Sequence, residues 1–432
     1  MRQSLLAQTA ARSQAFDMTY DVERIRANFP ALRREQDGRP IVFFDNPAGT
    51  QVPHSVVEQM NQAMFYKNAN LGGSFATSVA AEQLVNAAHR AGELFVNAPH
   101  SGEVFFGQSM TTLTFGMSRV ICADFAPGDE IILTRMDHDA NIAPWLMAAE
   151  DRGLVVRWLD FSDDTFAFDL DDLAALVTDR TRLIAFNYAS NVTGTINDVE
   201  GVGRIARACG AQLFVDAVQY APHGLIDVAA LGCDYLVCSA YKFFGPHYAM
   251  LWGRRDRLLA LRAYKVRAVS DELPGRFTTG TTNREQLAGV HAAIDYIANL
   301  GEAYGQPAGS ELRTRLSAGY EAMKAYEDGL TWRLIEGLLS IRGIRVLGIT
   351  NPVDFRRRVS TVSFVAEGIP ASQIASALSD DGIQVWHGHN YALEIYRKLG
   401  LEDGGVRIGP VHYNTSEEVD RTLGQVEAAV RD

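Results

Sequence analysis

Residues 212–247 read QLFVDAVQYAPHGLIDVAALGCDYLVCSAYKFFGPH. Two short apolar runs, LFV and YLVC, each end in polar side chains: Asp216 and Gln219 after the first, Ser239 and Lys242 after the second. Runs of this length, rich in branched and aromatic residues, predict buried strands. The lysine is conspicuous because the chain has only five (Lys67, Lys242, Lys265, Lys324 and Lys398) among its 40 Lys and Arg residues. A guanidinium stays protonated, whereas a lysine amine in an apolar setting loses its proton and becomes a nucleophile able to form a Schiff base. Taken singly, Lys242 reads better as a surface charge with a buried stem.

Working outward, the same texture runs from about residue 100 to 255. Strand candidates GEVFFG, EIILTR, LVVRWLD, RLIAFNY, QLFVDA, DYLVCSA and YAMLWG alternate with amphipathic stretches such as TTLTFGMSRVICADF, ANIAPWLMAAEDRG and DVEGVGRIARACG. This rhythm predicts crossover units, hence an α/β domain with a mainly parallel sheet flanked by helices. Ligands of such sheets sit outside the carboxyl ends of the strands. After residue 290 come long helical stretches (292–305 and 317–341), then strand-like IRVLGI and STVSFVA and the helix SQIASALSDDG, which predict a smaller α+β C-terminal domain. The expected division is an N-terminal segment, 1–40, packing with the small domain, a large domain, 41–295, and a small domain, 296–432.

Composition narrows the function. A 432-residue chain that is 47% hydrophobic can bury a large core and a second, smaller one. Its net charge of −12 argues against a nucleic-acid or anionic-membrane binder, and no apolar run approaches the ~18 residues of a spanning helix. Cys122, Cys209, Cys233 and Cys238 lie in apolar stretches without metal-site spacing, as expected of reduced thiols in a cytoplasmic protein; no metal site is expected. The first sixteen residues carry Arg2 and Arg12 but no signal-peptide core, and are read as a loose helix. GVGRIA (201–206) matches a dinucleotide-binding pattern, yet it follows the polar loop VTGTINDVE rather than a strand, which leaves the phosphate turn unsupported.

Several strand ends carry side chains that make chemical sense together. Pyridoxal phosphate needs a lysine for its aldehyde, a carboxylate beside its pyridine nitrogen and a cradle for its phosphate. Lys242 and Asp216 supply the first two, although Asp216 alone would pass for a helix cap. Ser109, Met110 and Thr111 open a helix after the strand in FFGQSMTTLTFG, where hydroxyls and backbone donors suit a phosphate, or an ordinary capping box. In RMDHDANIAPW, three consecutive side chains point in divergent directions, which disfavours a metal site and leaves His138 as an aromatic cover for the cofactor ring. Asn191 follows a strand in NYASNVTGT, able to reach a ring oxygen or simply to form a turn.

The ordered set FFDNPAGTQVP, DHDANIAPW, SNVTGT, VDAVQ, SAYKFFGP, RFTTGTTN and VRIGPVHYNT, spread over nearly the whole chain, resembles the cysteine desulfurase branch of the fold-type I pyridoxal phosphate enzymes, the class V aminotransferases. The resemblance implies that Lys242 bonds the cofactor, Asp216 pairs with its ring nitrogen and His138 stacks on the ring. It implies that Gln219 and Asn191 lie near the ring oxygen, and that Ser109, Met110, Thr111, Ser239 and Tyr241 complete the cofactor site. Thr281 would reach the phosphate of a neighbouring subunit, which implies a homodimer with shared sites. Arg407 would grip the carboxylate of an amino-acid substrate, with Asn46 and Ala48 in a loop nearby, and His389 and Tyr391 would line the substrate.

Two departures stand out. The family's persulfide-forming cysteine corresponds to Tyr391 in GIQVWHGHNYALE, and no cysteine follows Cys238; Tyr241 replaces the histidine that usually precedes the lysine. The resulting expectation is β-elimination or carbon–sulfur lyase chemistry without a persulfide relay. Epimerisation, transamination, carbon–carbon bond formation and a non-catalytic binding role are the alternatives.

Overall fold

A computed structural model describes residues 20–431 except 306 and 308; the helix expected at the extreme N-terminus lies outside the described residues. The seven strands expected between 100 and 255 all form: β1 (Val104–Gly107), β2 (Glu130–Thr134), β3 (Val155–Leu159), β4 (Thr181–Asn187), β5 (Gln212–Asp216), β6 (Tyr235–Ser239) and β7 (Ala249–Gly253). They make one sheet in the order β1-β7-β6-β5-β4-β2-β3. The sheet is parallel except for β7, which runs antiparallel to both β1 and β6. The link from β6 to β7 is too short for a crossover helix, so the chain must return antiparallel.

Both faces of the sheet are covered. Along β5, Leu213 and Val215 enter one apolar cluster while Phe214 enters the other; along β6, Leu236 and Cys238 alternate with Tyr235 and Val237. Successive side chains of a strand point to opposite faces, so these runs are apolar throughout rather than alternating. A fully buried side chain such as Phe214 contributes roughly 1.5–3 kcal/mol from its transfer out of water.

The helices that bear on the site are α1 (His54–Tyr66), α2 (Ala76–Val96), α3 (Met110–Ile121), α4 (Ala143–Arg152), α5 (Val199–Cys209), α6 (Arg284–Tyr304) and α7 (Leu312–Ser340). The GVGRIA stretch lies inside α5, whose start is capped by Asp198. Its Gly203 packs where a Cβ would stand 2.6 Å from the Leu231 carbonyl oxygen, so that glycine serves close packing and not a phosphate turn. Helix α6 is continuous through residue 295, where a domain boundary was expected.

Beyond α7, β8 (Ile344–Leu347), β9 (Val362–Ala366), β10 (Trp386–Gly388) and β11 (Gly405–Ile408) form a four-stranded antiparallel sheet in the order β8-β9-β11-β10. With it go α8 (Ala371–Asp380), α9 (Leu393–Leu399) and α10 (Ser416–Arg431). Residues 20–40 lie against these later elements: Tyr20 stacks on Tyr304 and Tyr326, Arg26 pairs with Glu418 at 2.9 Å, and Gln36 donates to the Ser379 carbonyl. No helix of the described residues is long and apolar enough to cross a membrane.

Candidate active site

The carboxyl ends of the parallel strands open onto a cavity. Ser109, Met110, Thr111, His138, Asn191, Asp216, Gln219, Ser239, Tyr241 and Lys242 all line it, together with Ala140, Asn187, Ala189 and Val218. Strand geometry explains the convergence: β4, β5 and β6 are parallel neighbours, so their last residues share one rim. Asp216 closes β5 and Ser239 closes β6, and a single 3-10 turn, Ala240–Lys242, carries the lysine inward.

Lys242 is 7% exposed, and its ammonium donates to the Pro47 carbonyl. The loop bearing Pro47 is pinned over the lysine: Thr50 N–H donates to the Tyr241 carbonyl at 3.0 Å, and Gly49 lies flat on the Tyr241 ring. Burial, and then the Arg407 charge, push the Lys242 amine down to about 7, with Asp216 opposing. About half of the amine is therefore neutral near pH 7, as a nucleophile or base requires. Burial likewise pushes Asp216 up to about 6, against a 2.9 Å hydrogen bond from the Val218 N–H and the Lys242 charge. His138 is pushed down to about 3 by burial and by Lys242 and Arg407, so its ring is neutral.

Ser109 and Thr112 form a reciprocal capping box at the start of α3, with the Thr112 N–H on the Ser109 hydroxyl at 3.1 Å. The ordinary reading and the functional one thus coexist, since the box fixes a helix start whose first positions face the cavity. Gln219 donates through Nε2 to the Thr361 hydroxyl at 2.8 Å, and Asn191 donates through Nδ2 to the Asn390 carbonyl at 2.8 Å. That leaves Gln219 Oε1 and Asn191 Oδ1 buried with no hydrogen-bond partner among the described residues. Buried orphans of this kind mark where a bound group supplies the missing hydrogen bond.

The remaining sequence candidates lie elsewhere. Arg407, on β11, is 4% exposed, donates to the Asn191 carbonyl at 3.0 Å, and leaves its Nε buried and without a hydrogen-bond partner among the described residues. Burial pushes its guanidinium down to about 10. Asn46 is engaged in the framework: Nδ2 reaches the Phe43 carbonyl at 2.9 Å and the Gly409 carbonyl at 2.7 Å, and its oxygen accepts from Tyr413. It fastens the loop of residues 45–50 to the end of β11, and Ala48 turns within that loop through a 2.8 Å bond to the Asp45 carbonyl. Thr281 is exposed and outside the cavity lining. Tyr391, 66% exposed, and His389, also exposed, are not part of the lining; Tyr391 stacks on His138 with ring centroids 5.4 Å apart, and the His389 ring accepts the Tyr391 N–H at 3.1 Å.

Sequence reasoning missed Asn187 and Asp137. Asn187 ends β4 and donates to the Met136 carbonyl at 2.9 Å, which holds the segment that presents His138. Its signal was present, as a polar residue closing an apolar strand. Asp137 is fully buried, held by Thr134 and by Asn141 at 2.7 Å, and burial pushes its carboxyl upward. Asp137 is buried in the interior, His138 lines the cavity and Asp139 is half-buried outside that lining.

A buried lysine, a strand-end carboxylate, a neutral imidazole and a hydroxyl-bearing helix start in one cavity are the groups that pyridoxal phosphate requires. Residues 42–422 match the aminotransferase class-V family, and the chain belongs to it. Its members are pyridoxal phosphate-dependent enzymes, and so is this protein. Among curated relatives it is 33% identical over 421 residues to the aminotransferase-like protein FGM3 of Gibberella zeae, covering 95% of this chain and 98% of that one. It is 31% identical over 427 residues to a cysteine desulfurase of Pectobacterium atrosepticum, with the same coverages. Among solved structures, the apo cysteine desulfurase of Thermococcus onnurineus superposes with a TM-score of 0.85 at 27% identity, covering 95% of this chain and 98% of that one.

Proposed function

We propose that the protein is a carbon–sulfur lyase acting on a cysteine-like amino acid, by β-elimination and without a persulfide on the enzyme. The observation that carries this reading is the pairing of a complete lysine–carboxylate–imidazole cavity with the lack of a usable thiol. Cys122, Cys233 and Cys238 are buried, and burial pushes the Cys122 thiol up to about 12 and the other two upward as well; Cys209 sits in α5 with its thiol on the Ala206 carbonyl. Thiols buried as Cys122, Cys233 and Cys238 are do not ionise readily and cannot take sulfur from a substrate, and Cys209 is not among the residues that line the cavity. At the exposed position where the sequence resemblance implies a persulfide-forming cysteine stands the phenol of Tyr391.

When bound, pyridoxal phosphate would supply an electron sink for the pair released at the substrate α-carbon. Lys242, Asp216, Gln219, Asn191, Ser239 and the start of α3 would hold it. The roles of the side chains follow from their placement. Arg407 offers a planar, permanently charged fork for the substrate carboxylate. Lys242, poised near neutrality, takes the α-proton. Asp216 keeps a proton on the ring nitrogen, and neutral His138 covers the ring without adding charge. Departure of sulfide from the β-carbon, followed by hydrolysis, leaves pyruvate and ammonia.

Transamination is the second reading, favoured by the relative named aminotransferase-like. We also place the enzyme in the cytoplasm as a homodimer. Exposed apolar side chains on and beside α1 and α2 (Val57, Phe65, Tyr66, Phe75 and Val79) support a covered face, with Thr281 as the residue contributed across it. The deciding experiment follows the products formed from cysteine and related amino acids. Equal yields of sulfide and pyruvate support elimination; sulfide with alanine replaces it by desulfuration, and a keto acid without sulfide replaces it by transamination.

A further inference from the structure

The turn at residues 389–391 is tied to the cavity wall three times. The Asp139 N–H donates to the Tyr391 carbonyl at 2.7 Å, Asn191 Nδ2 donates to the Asn390 carbonyl at 2.8 Å, and the Tyr391 ring lies on His138 at 5.4 Å and 27°. These ties work against a conformational cost, because Asn390 and Tyr391 both adopt left-handed backbone, with φ of 50° and 57°. Something beyond the turn must hold it.

That anchor begins with Ala392 and α9. Ala392, Ile395 and Tyr396 pack with Met136, Phe161 and Val192 in an apolar cluster separate from the two sheet cores. At the rim of this cluster Arg135 Nη1 meets Glu394 Oε2 at 2.5 Å, with the side chains 33% and 15% exposed. Arg135 is a rigid post: its N–H donates to the Leu159 carbonyl at 3.1 Å, extending the β2–β3 pairing, and its guanidinium lies 5.0 Å over Trp158. Arg135 stands just before His138 in the chain and Glu394 just after Tyr391, so this one pair joins the two segments whose rings stack. Lys398 reinforces it from the far end of α9, at 3.0 Å from Asp160 and 3.2 Å from Asp163.

We propose that Arg135 and Glu394 are positioning residues whose ion pair fastens the 389–391 turn onto His138, making Tyr391 a fixed wall at the cavity mouth that limits the substrate side chains admitted. The latch stands on geometry alone; its effect on substrate choice rests on the reading of the cavity as an amino-acid site. The test compares cofactor-loaded wild type with Glu394→Gln, Arg135→Gln and the double variant by hydrogen exchange resolved to single amides. Exchange at the Asp139 amide is expected to quicken about fivefold in each single variant and no further in the double, as for a half-exposed ion pair, while β2 amides keep their protection. Unchanged Asp139 exchange in both single variants, or equal loss of protection along β2, overturns the latch. In the same variants kcat/KM for bulky relative to small amino acids is expected to rise; a constant ratio alongside faster exchange overturns the wall. A wild type that turns over no amino acid refutes the proposed function and leaves the exchange result standing.

Discussion

The two sides of the cavity are built on opposite principles. The inner side is assembled from strand ends: Asp216, Ser239 and Lys242 are each less than a tenth exposed, and their positions follow from a parallel ladder that cannot slip by one residue without turning its core outward. The outer side is a turn, His389 and Tyr391 exposed and Asn390 half-buried, with Asn390 and Tyr391 in left-handed backbone, held by a helix of seven residues and a rim of ion pairs. The first side fixes what chemistry is possible, whereas the second can vary without disturbing the sheet. The inner side carries the groups that pyridoxal phosphate requires; Tyr391, where the sequence resemblance implies a departure, falls on the second.

This contrast can be broken by substitutions whose effects should descend from the inner side to the outer. Lys242→Ala should abolish turnover, by at least ~10³-fold, because both the covalent anchor and the base are lost; residual activity within tenfold of wild type, measured with cysteine, would place the base elsewhere. Arg407→Ala should weaken substrate or carboxylate-analogue binding by on the order of 100-fold while the absorbance of the bound cofactor persists, since a buried charged partner has been removed. Loss of cofactor instead would assign Arg407 to the wrong ligand. Tyr391→Ala should leave cofactor binding within about twofold and change KM among amino acids by less than about tenfold, the scale of an exposed contact.

The buried amine also has a consequence for stability that separates the two sides. In the cofactor-free protein Lys242 titrates near 7, against an ordinary value of 10.5, so the unfolded chain holds more protons between these values. The lysine therefore costs stability below pH 7, and that cost fades as pH rises towards 10.5. Lys242→Met should stabilise the cofactor-free protein by a few kcal/mol at pH 6 and by almost nothing at pH 10.5, read from urea unfolding at both pH values. The same change at Lys398, which lies in surface ion pairs, should shift stability by less than about 1 kcal/mol.

The order of these effects matches how far each side was legible in the sequence. Apolar strands ending in Asp216 and Lys242 announce themselves, because burial forces a run of hydrophobic residues and chemistry forces the polar residue that stops it. The antiparallel turn-back of β7 was hidden, since periodicity does not report strand direction. Asn187 closes an apolar strand as Asp216 does, and that signal was passed over; Asp137, held by the Thr134 hydroxyl and the Asn141 amide, leaves no spacing motif. The Arg135–Glu394 pair joins residues far apart in the chain, and no local pattern foreshadows it.

The identity of the lysine carries everything else. Protein reconstituted with pyridoxal phosphate, reduced with borohydride and digested, should yield the cofactor's mass on the single peptide containing Lys242, at close to one per chain. Attachment at any of the other four lysines, or no attachment at all, would contradict the assignment of this cavity.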